Sequence, residues 1–569
     1  MSKLLLVCEK KSTTLNDTII KNLSLLTNKI IPDNITPHPT LVFQNDKTSM
    51  YLFNPVDSVG IKNNSICLGK TVEYDYDWSE ISGPVPEGTY AIFRTSESEI
   101  ELLSDIIGSR TIWYYHDEDY FIASTTQRGI VNCLKGFEFN EKVIPWMLFS
   151  GIIGPDYSWD KRIKKLPGNT RLSFNITEWE YTLEQKLTVF KSVPFTEKEA
   201  VSKLKSTVQQ LLLNLKFDFN HWLLTLSGGV DSRGLFRYLK DDPGLKTITW
   251  GTKKATQSPD NDASIAKSIA EKYNIAHQYF EIDETDDSFE TILERFLHAG
   301  EGRVDHIGGY MDGFSIWKKL FENNVKGVIR GDQGFGWVKT RNKTDIYNSI
   351  GVNTGKTFGN INHWKKNIIP SQNLPEYFKQ RPGEPIDDWR DRLYHDFRVA
   401  CYHAALNDLK TPYVEVSSPY FSYCVLNLLR SIPGKLRTGK NMIKKMVQDF
   451  CPDISFAKQI AIIDHTGVVQ NKEVSEYLKN ELLKINSPIL SNELIEDVLK
   501  HLTTDKQELS KKNTRISNYH KYRHKTPQWL KSLLRKGGYK KTLNYNLLAL
   551  RVVIIHKMYK TLSSDKDLI

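Results

Sequence analysis

No run of 18 apolar residues occurs in the 569-residue chain, and no two cysteines stand at C-x-x-C spacing. The first absence argues against a membrane-spanning helix. The short apolar run at residues 4–7, followed by charge, is too brief for the core of a secretory signal. The second absence, with only six scattered cysteines, argues against a zinc site or a disulfide framework and for reduced thiols. A cytoplasmic protein, at most peripheral to a membrane, is expected. Internal repeats and long low-complexity segments are also missing, which excludes solenoid and fibrous classes.

Hydrophobic residues make up 40% and charged residues 25%, ordinary proportions for a globular protein. The length exceeds one ordinary core, so two or more domains are expected. The net charge of +10 is unevenly placed. Residues 501–569 carry 16 Lys/Arg against 4 Asp/Glu, a surplus of 12 that leaves the other 500 residues near −2. Such an excess attracts anionic partners, whether phosphate, lipid head groups or an acidic protein face. Within it, residues 527–536 put Trp529, Leu530, Leu533 and Leu534 on one side of a helix and Lys531, Arg535 and Lys536 toward the other. That pattern suits a helix on an anionic membrane surface, or an ordinary amphipathic helix packed on the protein. No RNA-binding signature accompanies the charge, so nucleic acid is not an expected partner.

Residues 1–190 read as mostly strand, with β-rich runs at 89–94, 111–115 and 119–124 separated by turn residues. The texture changes near residue 195. Thr196 followed by Glu199 is a capping box, and a helical pattern runs from there toward Leu215. The apolar run at 222–226 suits a strand buried on both faces. A Gly-containing turn and a helix follow it. Next come a strand at 246–250, a helix from about 261 to 273 with Ala263, Ile265, Ala266, Ile269 and Ala270 on its apolar side, and a strand at 278–282. This β-α-β-α-β order predicts a parallel sheet covered by helices. After Pro385 the pattern is predominantly helical.

The most informative segment is Leu226-Ser227-Gly228-Gly229-Val230-Asp231-Ser232-Arg233, between the buried strand and the helix. Two adjacent glycines let the backbone turn sharply and bring N–H groups close to a ligand. The positive end of the following helix suits a phosphate-type anion, and Ser227 and Ser232 add hydroxyls. An acid such as Asp231 fits an anion site only if a metal bridges the two, as Mg²⁺ does between carboxylates and phosphate oxygens. The plainer alternative is a strand–turn–helix with a capping serine.

The segment resembles the S-G-G-x-D-S signature of the asparagine-synthetase superfamily of ATP pyrophosphatases. Ser258-Pro259-Asp260-Asn261-Asp262, with Ala266, Ile269, Ala270 and His277, is similar to that family's second-helix pattern. Arg330-Gly331-Asp332-Gln333-Gly334-Phe335-Gly336 resembles its G-D-E-x-F-G segment, with Gln333 in place of the usual Glu. Glu415-Val416-Ser417-Ser418-Pro419-Tyr420 resembles E-x-R-x-P-F/Y, and Ile432-Pro433 and Lys440 fit the region after it. The likeness spans roughly residues 195–462. In the N-terminal part, Gly88-Thr89-Tyr90-Ala91, Asp105 with Gly108, Tyr114-Tyr115, Ala123-Ser124 and Leu166-Pro167-Gly168 are similar to the family's glutamine-amidotransferase domain.

The resemblance implies an α/β protein in three parts. Residues 1–190 would be a degenerate amidotransferase-like αββα sandwich of the N-terminal-nucleophile hydrolase type. Residues 195–500 would be a parallel-sheet pyrophosphate-loop domain, adenine nucleotide α hydrolase-like, and 501–569 a basic helical extension. In the amidotransferase domain the nucleophile is a cysteine at position 2; here it is Ser2, and Cys8 has no free amine, so glutaminase activity is expected to be lost. The organisation is then similar to the β-lactam synthetase and lasso-peptide cyclase branches.

The implied reaction is ATP-dependent. A substrate carboxylate is adenylated with release of pyrophosphate, and an amine displaces AMP. ATP and Mg²⁺ are the implied cofactors, with Asp231 and Asp332 as metal ligands. Leu226, Ser227, Gly228, Gly229, Asp231, Ser232, Trp250, Gly251 and Gly331 are the implied nucleotide-binding residues. Lys458, which follows Pro452-Asp453-Ile454, is the candidate for the family's charge-stabilising lysine. Ile329 stands where the family has a Glu or Tyr base, which leaves Asp408 and Glu415, from the later helix, as candidate bases. Macrocyclisation of a peptide, asparagine synthesis from ammonia, and a non-catalytic nucleotide-binding assembly role are the alternatives.

Overall fold

The computed structural model describes residues 3–11, 26–27, 29–56, 58–73, 77–334, 338–364, 368–504 and 541–566. Ser2 and the amphipathic pattern at 527–536 lie outside the described residues.

The chain's first third forms two antiparallel six-stranded sheets laid face to face. The first runs in the order Lys164–Lys165, Trp113–His116, Tyr120–Ser124, Lys3–Glu9, Thr48–Phe53, Leu41–Gln44. The second runs Glu180–Gln185, Thr170–Asn175, Glu99–Ser104, Gly88–Thr95, Ser65–Thr71, Gly60–Lys62. Strand alternation divides each strand between two cores. Leu4, Leu6 and Cys8 meet Leu68, Ala91 and Phe93 between the sheets. Leu5 and Val7 point the other way, into the core that includes the helices Gln127–Leu134 and Val143–Ser150. Burial pushes the Cys8 thiol up to about 11, so it stays protonated and unreactive at neutral pH. Arg94 and Glu101 are wholly buried and pair at 2.6 Å on the second sheet, with Arg94 also donating to the carbonyls of Trp78 and Pro84.

The helix Glu197–Leu215 opens with the expected capping box, Thr196 N–H donating to Glu199 at 2.8 Å and Glu199 N–H to the Thr196 hydroxyl at 3.3 Å. A five-stranded parallel sheet follows, in the order Ala276–Glu281, Lys246–Gly251, Trp222–Thr225, Gly327–Ile329, Glu415–Ser417. The chain starts at the central strand, winds outward to one edge, then returns and winds to the other. At the return, the connections after Trp222–Thr225 and Gly327–Ile329 leave in opposite directions and open a crevice at their carboxyl ends.

Among the described residues after Pro385 the regular structure is helical but for one strand. Glu415, expected on a helix, begins the edge strand Glu415–Ser417, paired with Gly327–Ile329 in parallel register. Short, buried and ending at a proline-started turn, the segment gains more from an open sheet edge than from helix propensity. The helix Tyr545–Asp565 returns to the front of the molecule. Its Arg551 bonds Asp305 at 2.7 Å and the Leu148 carbonyl at 2.8 Å, and Asp565 pairs with Arg128 at 2.6 Å. Among the described residues, no helix is long and apolar enough to cross a membrane.

Replacing Arg94 with Ala removes the nearer of two guanidinium partners of the buried Glu101 carboxylate and leaves Arg171 at 3.2 Å. The expected cost is at most about 3–5 kcal/mol, read as a lower denaturant midpoint; a loss below about 1 kcal/mol would mean that Arg171 alone suffices for Glu101.

Candidate active site

A cleft of about 290 Å³ lies at the crevice between the two central strands. Thr225, Leu226, Ser227, Asp231 and Ser232 line it from one strand and the helix Val230–Leu239. Arg330, Gly331 and Asp332 line it from the other, Thr249 and Trp250 from the neighbouring strand, Asp262 from the next helix, and Ile460, Ala461 and Ile462 from a late loop.

The turn is built from its own residues. Ser232 Oγ accepts from Ser227 N–H at 3.0 Å and lies 2.9 Å from Ser227 Oγ, while Gly229 N–H donates to Ser227 Oγ at 3.2 Å. Gly229 caps the helix in extended conformation, so the first-turn amides face the cleft side of the turn. The glycines serve close packing. A Cβ on Gly228 would stand 2.6 Å from the Ala457 Cβ and 2.8 Å from the Ile265 Cβ; one on Gly331 would strike the Ser232 N–H at 2.6 Å. Gly251 likewise makes room for Ala461, one of the lining residues.

Asp231 and Asp332 open onto this one cleft and differ in electrostatics. Burial raises the Asp231 carboxyl above its ordinary value; Lys440, bonded to its Oδ2, offsets part of this and the Asp332 charge adds to it. Its Oδ1 is buried with no hydrogen-bond partner among the described residues. Burial also acts on Asp332, but the Arg330 guanidinium outweighs it and holds the carboxyl well below the usual range. Arg330 grips Asp332 at 2.8 and 3.2 Å, and the Ser418 hydroxyl donates at 3.3 Å. An orphaned carboxylate oxygen facing a second ionised carboxylate is a donor set that fits a hard divalent cation.

The three residues expected to do acid–base work do not line the cleft. Lys458 is exposed and pairs with Asp260 at 3.0 Å. Asp408 is buried and bonded to Arg303, which also donates to Thr111 at 2.7 Å. Glu415 is buried and pairs with Arg110 at 3.0 Å; burial raises its carboxyl, against the pull of Arg110. The last two join the parallel sheet to the front sheets. Arg330, Asp262 and Lys440 stand in the motif segments read from the sequence, but no role follows for them there, nor for the 460–462 segment. Arg330 adjoins Asp332 in the chain; Lys440 reaches Asp231 from 209 positions away, a pairing with no local signal.

No family model matches the chain, and no curated protein matches it. Among solved structures, one described as the allosteric regulatory enzyme of purine biosynthesis is matched at 10% identity over 62% of this chain and 88% of that one, with a TM-score of 0.19. Glutamine phosphoribosylpyrophosphate amidotransferase from B. subtilis, complexed with ADP and GMP, gives the same identity, coverage of this chain and TM-score, with 90% of its own chain covered. At that TM-score the likeness carries no argument about function.

Gly228→Ala is expected to push the 456–462 segment off the turn, because Ala457 N–H donates to the Gly228 carbonyl at 3.0 Å across the same contact. Overpacking there should cost about 1–3 kcal/mol. The checks are a lower melting temperature and faster proteolytic cleavage within 452–462.

Proposed function

We propose that this chain is an ATP-dependent, AMP-forming ligase that adenylates a carboxylate and joins it to an amine, and that it is a relative of the asparagine synthetases without glutaminase activity. One observation carries the reading: the hydroxyls of Ser227 and Ser232, the start of a helix, and two carboxylates of opposite electrostatic character converge on one cleft at the strand crossover.

In this reading the turn at Ser227 and the amides opening the helix Val230–Leu239 hold the pyrophosphate portion of ATP. Leu226, Trp250 and Gly251 receive the adenine. Asp231 and Asp332 would hold Mg²⁺, which supplies neutralisation of the phosphate charge. Lys440, bonded to Asp231, would keep its ammonium and counter the charge of departing pyrophosphate by electrostatic attraction, a role that Lys458 cannot fill from the surface. Arg330 keeps Asp332 ionised across the working pH range. The front sheets act as a scaffold of αββα type, and the acceptor is an amine brought by the second substrate. A second reading, a nucleotide-binding assembly protein without turnover, draws support from the same ion pairs, since Lys440 and Arg330 already neutralise both acids.

ATP–pyrophosphate exchange with pools of carboxylic acids separates the two. The ligase predicts Mg²⁺-dependent exchange, lowered about 100-fold or more in Asp231→Asn and Asp332→Asn. No exchange with any acid, together with a melting temperature raised by ATP, selects the binding protein; neither effect overturns both. Because the raised Asp231 carboxyl gains its proton first as pH falls, exchange should decline on the acid side at a pH above that of an ordinary aspartate, with KM for Mg·ATP rising there.

A further inference from the structure

A second cluster of metal-type ligands lies outside the cleft. Asp305, His306 and His465 each offer one ligand atom, and these atoms lie within 4.8 Å of one another. The first two follow one another in the chain; His465 opens a short helix three residues after Ile462, which lines the cleft. We propose that these three residues bind one first-row divalent ion of the zinc class.

Three observations support this. The imidazoles of His306 and His465 lie 4.3 Å apart beside the fully buried Asp305. Arg551 takes Oδ2 at 2.7 Å, and Oδ1 stands 2.8 Å from His306 Nδ1. Two atoms that far apart, each about 2.1 Å from one ion, subtend a little under a right angle there. Finally, the cluster is open to solvent on one side, the His306 side chain being 34% exposed.

The ion replaces the proton between His306 and Asp305, and neutral His306 keeps its remaining proton on Nε2. Two imidazoles and one carboxylate select zinc, cobalt or nickel over magnesium. Three protein ligands leave a coordination position for water or a substrate heteroatom, as in catalytic rather than structural zinc sites. The Arg551 charge opposes a dication, so micromolar affinity is expected rather than the tighter binding of a four-ligand site.

The test is a titration of the full-length protein with Co²⁺, in excess Mg²⁺ so that Asp231 and Asp332 are satisfied. One equivalent should produce visible d–d absorption without thiolate charge-transfer bands, and Zn²⁺ should displace it. His306→Gln and His465→Gln should each weaken binding at least about tenfold at an unchanged melting temperature. Asp305→Asn is avoided because Arg551 depends on that carboxylate. Absence of one-to-one binding, thiolate bands, or equal binding by both histidine variants overturns the proposal.

Discussion

Asp231 and Asp332 are half-buried on one open cleft, and each makes the other's charge more costly. Such a pair persists only if something positive stands close by. Here Arg330 holds Asp332 from the adjoining backbone, while Lys440 reaches Asp231 from a distant turn. The two solutions are unequal: one carboxylate is firmly ionised and the other lies above its ordinary value with an oxygen unpartnered. The surrounding structure serves this balance. The crossover of the parallel sheet opens the crevice, the glycines let backbone close around it, and residues 460–462 complete its lining.

Much of the parallel sheet could be read from the chain because its signals are local. Residues 222–225 are apolar on both faces, Gly228-Gly229 marks the turn, and the alanines at 263, 266 and 270 mark a helix that must approach a sheet closely. The edge strand Glu415–Ser417 could not be read in this way. Three residues carry no period, and what makes them a strand is the unpaired edge of Gly327–Ile329, about 90 positions earlier. Glu415 and Asp408 look like free acids in the sequence for the same reason: Arg110 reaches Glu415 from the front sheets and Arg303 reaches Asp408 from just past the end of the helix Phe289–Gly300, both distant in sequence.

Charged side chains therefore do two kinds of work in this protein. On the cleft Asp231 keeps one oxygen without a partner. Elsewhere buried charges are paired within the packing, as in Arg94 with Glu101 and in Arg390 and Arg437 with Asp391. A carboxylate cannot be assigned to either class by residue type. The distinction is whether the carboxylate opens onto the cleft or is enclosed by the packing around it.

The helix Tyr545–Asp565 sets the order of events at the ribosome. It supplies Arg551 to Asp305 and Asp565 to Arg128, and its apolar side completes the core against Gln127–Leu134 and Val143–Ser150. A nascent chain that has emerged only through residue 500 carries those acid and base groups without their counterparts. The native ion pairs of Asp305 with Arg551 and of Arg128 with Asp565 can then form only after the last segment leaves the exit tunnel.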